Sequence, residues 1–492
     1  MTEITEAGQE KQESTTGTAP PPEHHPHRWL ALTGLALVQF IIFLDATIVN
    51  VALPSIRRDL GFTSAGLTWV VSGYLLAAGG LLLLCGRLSD LFGRRRIFGL
   101  GAGLFAVASL TAALAQSPAM LIASRFAQGM AEALAAPAAL SMVVLLFTDE
   151  KERTKALGIW GGLAGLGATS GVLLSGVLTD LASWRWIFYI AIPPCVASLI
   201  ITYRLVPDSR GPAARRPSWL SAVLLTGGLI AVIKGLLAAA DTSWGSVSVL
   251  GPVVGGLAVL TGFLAFQRRA AAPLIPLGFF TNRTRLAGYA AQMFMAIATA
   301  AMFFLIVLYM QETLRYSPLE CGLAWLPFTV AFMPGLVAST RLLLQVGHRA
   351  VLTSGLILIS AGVFLFSRLG PESSFAAGLL PAMLLTAFGS GVTAPAMQIA
   401  ALDSVSQQDA GLGSGVLATV QQVSQALGLS VIVAIGLSHQ RSLVAGGTPA
   451  ASAVIQGHEL ALRIAAAVLL VGGISIFALM RKPSATAVSA AT

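Results

Sequence analysis

Three ionisable side chains stand inside long apolar runs of this chain, where charge is costly. Asp45 lies midway in the first run, within 44–54 (LDATIVNVALP), and Arg125, Gln128 and Glu132 lie in the fourth, within 125–137 (RFAQGMAEALAAP). A charge at hydrocarbon depth is strongly unfavourable unless it is paired, neutralised or turned toward water. Offsets of three and seven residues put Arg125, Gln128 and Glu132 on one helical face, which must line a cavity or a helix interface. Arg125 stays charged at any relevant pH, so it can hold a carboxylate ionised until an opposite charge competes. Glu132 is the better candidate for reversible protonation, because removal from water disfavours the carboxylate. Asp45, Arg125 and Glu132 are therefore the expected proton-coupling groups. A static salt bridge, or for Asp45 a structural hydrogen bond, remains the alternative.

A second cluster sits at a run end, in 86–101 (GRLSDLFGRRRIFGLG). Gly86 and Gly93 permit a tight turn and close helix approach. Asp90 can pair with Arg94 or cap the N-terminus of a facing helix. Both contacts are expected only when the two halves of the chain meet, which makes Gly86, Asp90, Gly93, Arg94 and Arg95 a two-state cytoplasmic latch. A third group is polar or aromatic: Gln128, Gln292, Met293, Phe294, Phe303, Phe304, Gln398, Gln421, Gln422 and Gln425. An apolar, aromatic lining with a few amides suits bulky amphipathic substrates better than ions. Ordinary packing is the better account of each of these residues taken alone.

The elements that must position these groups follow from composition. Of 492 residues 55% are hydrophobic before the 51 glycines are added, and 10% are charged. Mean hydropathy is +0.80. One soluble core cannot absorb that much apolar surface, and a disordered chain or a small disulfide scaffold is excluded too. The excess suits many spans of about 20 residues. Apolar runs fall near 30–53, 67–86, 97–115, 120–146, 156–178, 186–206, 219–239, 249–267, 286–310, 322–344, 350–367, 375–400, 412–437 and 460–480. The expectation is an all-α integral membrane protein with fourteen spans, read as six plus two plus six. Its parts are a disordered tail (1–28), a six-helix bundle (29–206), two inserted helices (219–267), a second six-helix bundle (286–480) and a C-terminal tail (481–492).

A faint repeat supports the two bundles. Residues 340–350 (TRLLLQVGHRA) echo 86–96, with Arg341, Gly347, Arg349 and Gly355 at the places of Arg87, Gly93, Arg95 and Gly101. Leu344 replaces Asp90 in the second copy. Parallel six-span repeats are a transporter signature, with substrate near the midplane between them. Glycines 158, 161, 162, 165, 167, 171 and 176 suit span 5 to close helix packing, compatible with a pivot. Lys234, near a span end, is read as snorkelling.

The net charge of +9 belongs to topology rather than to nucleic acid. Lys and Arg concentrate in one alternating set of connections, the positive-inside bias, placing both termini in the cytoplasm and the chain in the cell membrane. Cys85, Cys195 and Cys321 have no CxxC spacing and read as small apolar fillers. No metal site is readable, and His24, His25 and His27 fall in a tail without signal-peptide features. An intramembrane enzyme would need clustered His, Asp or Ser–His groups at depth. His439 and His458 are instead expected in the last outer loop, and His348 in an inner one. No cofactor is expected beyond a proton gradient, and the partners are lipid, protons and a small hydrophobic substrate, with function as a monomer.

Together these segments resemble the fourteen-span drug:proton antiporter family of the major facilitator superfamily. The resemblance rests on 44–54, 86–101, the RxxQG pattern at 125–129, 184–193 (WRWIFYIAIP), 273–283 (PLIPLGFFTNR), and 411–415 with 422–428. It implies export by alternating access, Asp45 and Arg125 in coupling, and Asp90 and Arg94 at the inner gate. The antiporter pattern of span 5 calls for Gly-Pro where this chain has Gly171-Val172, and for Gly-Gly where it has Ser175-Gly176. A symporter or facilitator for an endogenous metabolite is therefore the alternative. Glu132 stands where the family carries a small residue. Reporter fusions at either terminus are expected to read cytoplasmic; labelling of a terminal tag from outside intact cells would reverse the assignment.

Overall fold

The structure, a computed structural model, describes residues 27–209, 219–270, 273, 280–405 and 410–480. Apart from His27 and Arg28 the expected tails lie outside the described residues, as do Arg210, Arg215 and Arg216. The described residues are helical, without a strand. The first half comprises α1 (Arg28–Leu60), α2 (Ser64–Phe92), α3 (Arg94–Ala113), α4 (Pro118–Leu146), α5 (Glu150–Leu181), α6 (Trp186–Tyr189) and α7 (Ile192–Leu205). After α8 (Trp219–Ala238) and α9 (Val247–Arg269), the second half comprises α10 (Arg283–Leu308), α11 (Pro318–Ala324), α12 (Leu326–Phe366), α13 (Leu380–Ala401), α14 (Ala410–Ala445) and α15 (Ala450–Leu479).

Helix starts follow from side-chain acceptors. Thr63, Ser117 and Asp149 accept from the backbone N–H of Gly66, Met120 and Glu152 at the starts of α2, α4 and α5, satisfying donors that have no intrahelical partner.

Thirteen helical segments are long and apolar enough to cross a membrane, against the fourteen expected. The difference lies in Pro318–Phe366, a stretch of 49 residues that the apolar runs divide in two. Within it Gly347 has φ 74° and ψ 170°, a backbone that side chains disfavour. The chain folds back there. A Cβ on Gly335 would lie 2.3 Å from the Phe388 carbonyl, and one on Gly389 would lie 2.9 Å from the Ile359 nitrogen. Residues 335 and 359 would be about 36 Å apart on a straight helix, yet both reach the same turn of α13. Gly93, the repeat partner of Gly347, likewise has a positive φ, 104°. The repeated glycine thus marks a chain reversal in each half.

The last connection also differs from expectation. His439 and His458 lie in α14 and α15, not in a loop, because both helices outlast their apolar runs and leave only 446–449 between them. Hydropathy measures hydrocarbon depth rather than helix length.

Glycines set the helix spacing. A Cβ on Gly129 of α4 would come 2.2 Å from the Tyr74 carbonyl of α2, and one on Gly428 of α14 would come 2.3 Å from Ile297 Cα of α10. Such approach brings backbones into van der Waals contact where burial alone offers no preference over lipid.

The two halves meet along two seams. In the first, α2 faces α14: Ser72 and Ser430 share a hydrogen bond of 3.2 Å, and Leu83 lies against Gly415. The α8–α9 hairpin covers this seam. Thr226 of α8 packs on Gly80 of α2, while Arg441 of α14 donates to the carbonyls of Ala240 and Thr242. In the second seam α5 faces α11 and α12. It is tight at the end that carries Arg57, where Gly176 meets Pro318 and Gly322 meets Val172. Thr169 and Thr329 touch at 3.4 Å. Toward the end that carries Arg94, Gly158, Gly161, Gly162 and Gly165 face open space, and Leu344 across the seam is 91% exposed. One end of the interface is closed and the other parts.

These spacings give a paired expectation. Gly129→Ala should destabilise by about 1–3 kcal/mol, because its clash is with backbone. Gly161→Ala should leave stability unchanged or slightly raised. Thermal unfolding of the purified protein in detergent checks both.

Candidate functional site: a buried ion pair in the first half

α1 and α4 bring Asp45 and Arg125 together in the interior, 1% and 2% exposed. Arg125 Nη1 donates to Asp45 Oδ2 at 2.5 Å and to Gln128 Oε1 at 2.7 Å. Its Nε donates to the Val70 carbonyl at 2.9 Å. Gln128 Nε2 donates to Asp45 Oδ1 at 3.3 Å and to Ser109 Oγ at 2.9 Å. The guanidinium carbon lies 4.4 Å from the centre of the Tyr74 ring, within cation–π range. Four helices therefore hold one charge pair: α1 the carboxylate, α4 the guanidinium and amide, α3 the serine, and α2 the carbonyl and ring.

The local sequence explains the arrangement. Gln128 follows Arg125 by one turn, so its amide can accept from the arginine and donate to the same carboxylate. Breaking a buried pair of this kind by removing one partner is strongly unfavourable, because a bare charge is left behind. A proton on Asp45 would cancel the pair without removing an atom. It would leave Arg125 without a counter-charge, held by neutral acceptors and a ring.

Gln128, expected in a substrate cavity, belongs to this network instead. Arg125 and Glu132 share the predicted α4 face, but Arg125 takes Asp45 as its partner, so the alternative Arg–Glu bridge does not form. Glu132 is buried and faces the other half: Gln422 Nε2 of α14 donates to its Oε1 at 3.0 Å. Its Oε2 is buried without a hydrogen-bond partner, as is the Tyr74 hydroxyl.

The second cluster is wired within the first half. Arg94 donates to Asp90 Oδ1 through Nε and Nη2, at 3.0 and 2.7 Å. Arg95 Nη1 donates to the Val206 carbonyl at 3.0 Å, and Arg96 pairs with Asp208. Gly93 lies against the Asp208 carboxylate, and Gly86 packs at Pro137 of α4. The Asp90–Arg94 contact was expected only across meeting halves. It forms instead between residues four apart, because the Gly93 reversal sets the start of α3 beside the end of α2. The cluster does reach outside the half through Arg87, whose Nη2 donates to the Pro273 carbonyl at 3.1 Å.

The expected cavity residues do not converge. Gln422 reaches Glu132, but Phe294 packs on Gly472 of α15 and Gln398 is exposed. Phe303 stacks on Trp325 with ring centres 4.4 Å apart. Gln292 is buried in α10, and Gln425 is half-buried on α14. Phe304 lines a cavity of about 100 Å³ at the Arg57 end, with Arg57, Glu312, Gln440 and His458. There Arg57 Nη1 and Glu312 Oε1 pair across the halves at 3.0 Å. Among the described residues no group of three or more His, Cys, Asp or Glu is placed to hold a metal ion. Tyr74, Ser109 and the Val70 carbonyl were not anticipated. The signal available was a tyrosine inside a largely apolar run.

Comparison with known proteins gives the family. Residues 35–429 match the Major Facilitator Superfamily. The chain is 36% identical over 464 residues to the puromycin resistance protein pur8 of Streptomyces alboniger, covering 92% of each. It is 37% identical over 413 residues to the lincomycin resistance protein of Streptomyces lincolnensis, covering 84% of this chain and 85% of that one. Among solved structures, a bacterial homologue of the human lysosomal transporter Spinster, in an inward-facing and unoccupied conformation, superposes with a TM-score of 0.65. That protein is 16% identical, and the match covers 93% of this chain and 99% of the other. Many membrane-length helices, a buried charge pair and an interface closed at one end come together here, and this multi-pass chain of the cell membrane belongs to the major facilitator superfamily.

Proposed function

We propose that the protein is a secondary active transporter that exports a hydrophobic drug, antibiotic or toxic metabolite by alternating access, in exchange for protons. The observation that carries this reading is the Asp45–Arg125 pair, buried in a polar network of four helices. A purely structural bridge gains little over packed apolar side chains. A carboxylate whose proton competes with an arginine is a two-state element. The resistance named for the puromycin and lincomycin relatives supports an antibiotic class of substrate.

In this reading, a proton reaching Asp45 frees Arg125 from its counterion and loosens α1 from α4. Glu132 joins the halves through Gln422, so its protonation state bears on how α4 meets α14. The Asp90–Arg94 cluster, with Arg87 on the Pro273 carbonyl, acts at the cytoplasmic end, where the second seam parts. Both termini lie in the cytoplasm, the working unit is one chain, and the proton gradient replaces any cofactor. Val172, where the antiporter pattern has proline, keeps symport or facilitated uptake as the second reading; its carbonyl packs on Gly322 at the closed end.

Two measurements test the proposal. Cells expressing the protein should resist compounds from a toxic panel, with resistance abolished by an uncoupler. Asp45→Asn should lower proton-driven export about tenfold or more, by the strength of the lost charged hydrogen bonds. Its melting temperature shows that the variant is folded. Substrate moving inward with protons in oriented vesicles would establish the second reading instead.

A further inference from the structure

The Asp45–Arg125 pair and the Glu132–Gln422 contact lie on different sides of one side chain. Tyr74 of α2 presents its ring to the Arg125 guanidinium at 4.4 Å, and Glu132, two turns further along the same α4 face, is among the charges that bear on its hydroxyl. Tyr74 Oη and Glu132 Oε2 are both buried, and neither has a hydrogen-bond partner. A tyrosine hydroxyl can donate or accept, and so can a carboxyl, depending on its proton. The charged groups that bear on Tyr74 are Glu132 and Arg125 from α4 and Asp45 from α1. From α14, Gln422 brings an uncharged amide to Glu132. The backbone fixes the ring: the close α2–α4 approach at Gly129 sits on the Tyr74 carbonyl itself, so ring and guanidinium cannot slide apart independently.

The geometry points to Tyr74 as a positioning residue that couples the proton on Glu132 to the Asp45–Arg125 pair, through a hydroxyl on one carboxyl and a ring under the arginine. An ionised Glu132 attracts the hydroxyl as a donor to Oε2, which keeps the ring seated against Arg125. A proton on Glu132 cancels that charge-assisted attraction, so the tyrosine is held less firmly against the guanidinium, and Arg125 in turn less firmly against Asp45. No bond other than hydrogen bonds changes in Tyr74, which neither gains nor loses a proton overall. The two acidic sites, on different helices and without direct contact, then respond as one unit. The idea rests on the proposed exchange with protons and adds a residue to it.

Tyr74→Phe keeps the ring and removes only the hydroxyl; Tyr74→Leu removes both. In proteoliposomes holding the purified full chain, substrate addition should release protons from the wild type, read with a pH dye while substrate binding is followed separately. The substrate used is the compound giving the largest uncoupler-sensitive resistance in the panel. Tyr74→Phe should lower the protons released per substrate bound about tenfold, the loss of one hydrogen bond to a charged group. Its substrate affinity should stay within about twofold of the wild type, since the stacking surface is unchanged. Tyr74→Leu should lose both coupling and affinity. A wild type that releases no protons rejects the exchange itself. A wild type that releases them, with Tyr74→Phe releasing the same number over the same pH range, overturns the role of Tyr74 alone. A Tyr74→Phe protein with normal melting but equal losses in binding and release is a packing defect, and it too overturns the role.

Discussion

A guanidinium cannot shed its charge inside a membrane protein, so everything around Arg125 is arranged to tolerate it. The cation is met by one carboxylate, one amide oxygen, one backbone carbonyl and one aromatic face, drawn from α1, α4 and α2. Meeting those demands sets how closely the helices approach. Gly129 stands one position beyond Gln128, and the tight α2–α4 contact at that glycine keeps Tyr74 within reach. Gly171 does the same for α5 against the Leu44 carbonyl of α1. The small residues of the first half are thus the spatial counterpart of its charges. Helices carrying bulky residues at those points could not enclose a network only a few ångströms across.

How much of this was readable from the chain depends on the residue. Asp45 and Arg125 were legible because charge is scarce, and a rare group at depth has few explanations. Their pairing was less so. The helical face that joins Arg125 to Glu132 suggested those two as partners, and only the packing of α1 on α4 shows that Asp45 wins. Tyr74 was missed because its role comes from where α2 lies, and no spacing within α2 encodes that. The cavity residues were the hardest to read as a set. In a soluble protein an apolar face points inward, but lipid is as apolar as a protein core, so Phe294 looked the same whether it lined a cavity or packed on α15. The Asp90–Arg94 partnership was legible, but not that it forms without the halves meeting. A glycine reversal between Asp90 and Arg94 makes their contact local, and such a reversal is seen from spacing only when the backbone angle is known.

The repeat shows the same limit from the other side. Gly93 and Gly347 occupy equivalent places, and both take positive φ. The first separates α2 from α3, and the second separates two helical arms that share one turn of α13. The carboxylate at Asp90 has become Leu344 in the later copy, which is almost fully exposed. The geometry of the reversal has outlived the charge chemistry built on it. Backbone constraints and ionic contacts in this fold therefore vary separately, although they sit within the same eleven residues.

The α8–α9 hairpin makes the two seams unlike each other. It is fastened to α14 by Arg441 and rests on α2 through Thr226, so it roofs one line of contact between the halves and leaves the other bare. Any rocking of the halves must then be lopsided. Under the roof, separation would strip α8 from α2, whereas at the Arg94 end the glycine-faced α5 can swing clear with nothing to uncover. The roofed side behaves as the spine of a book and the α5–α12 side as its fore-edge. A molecule dissolved in the bilayer thus meets a blank wall from one direction and a page gap from the other.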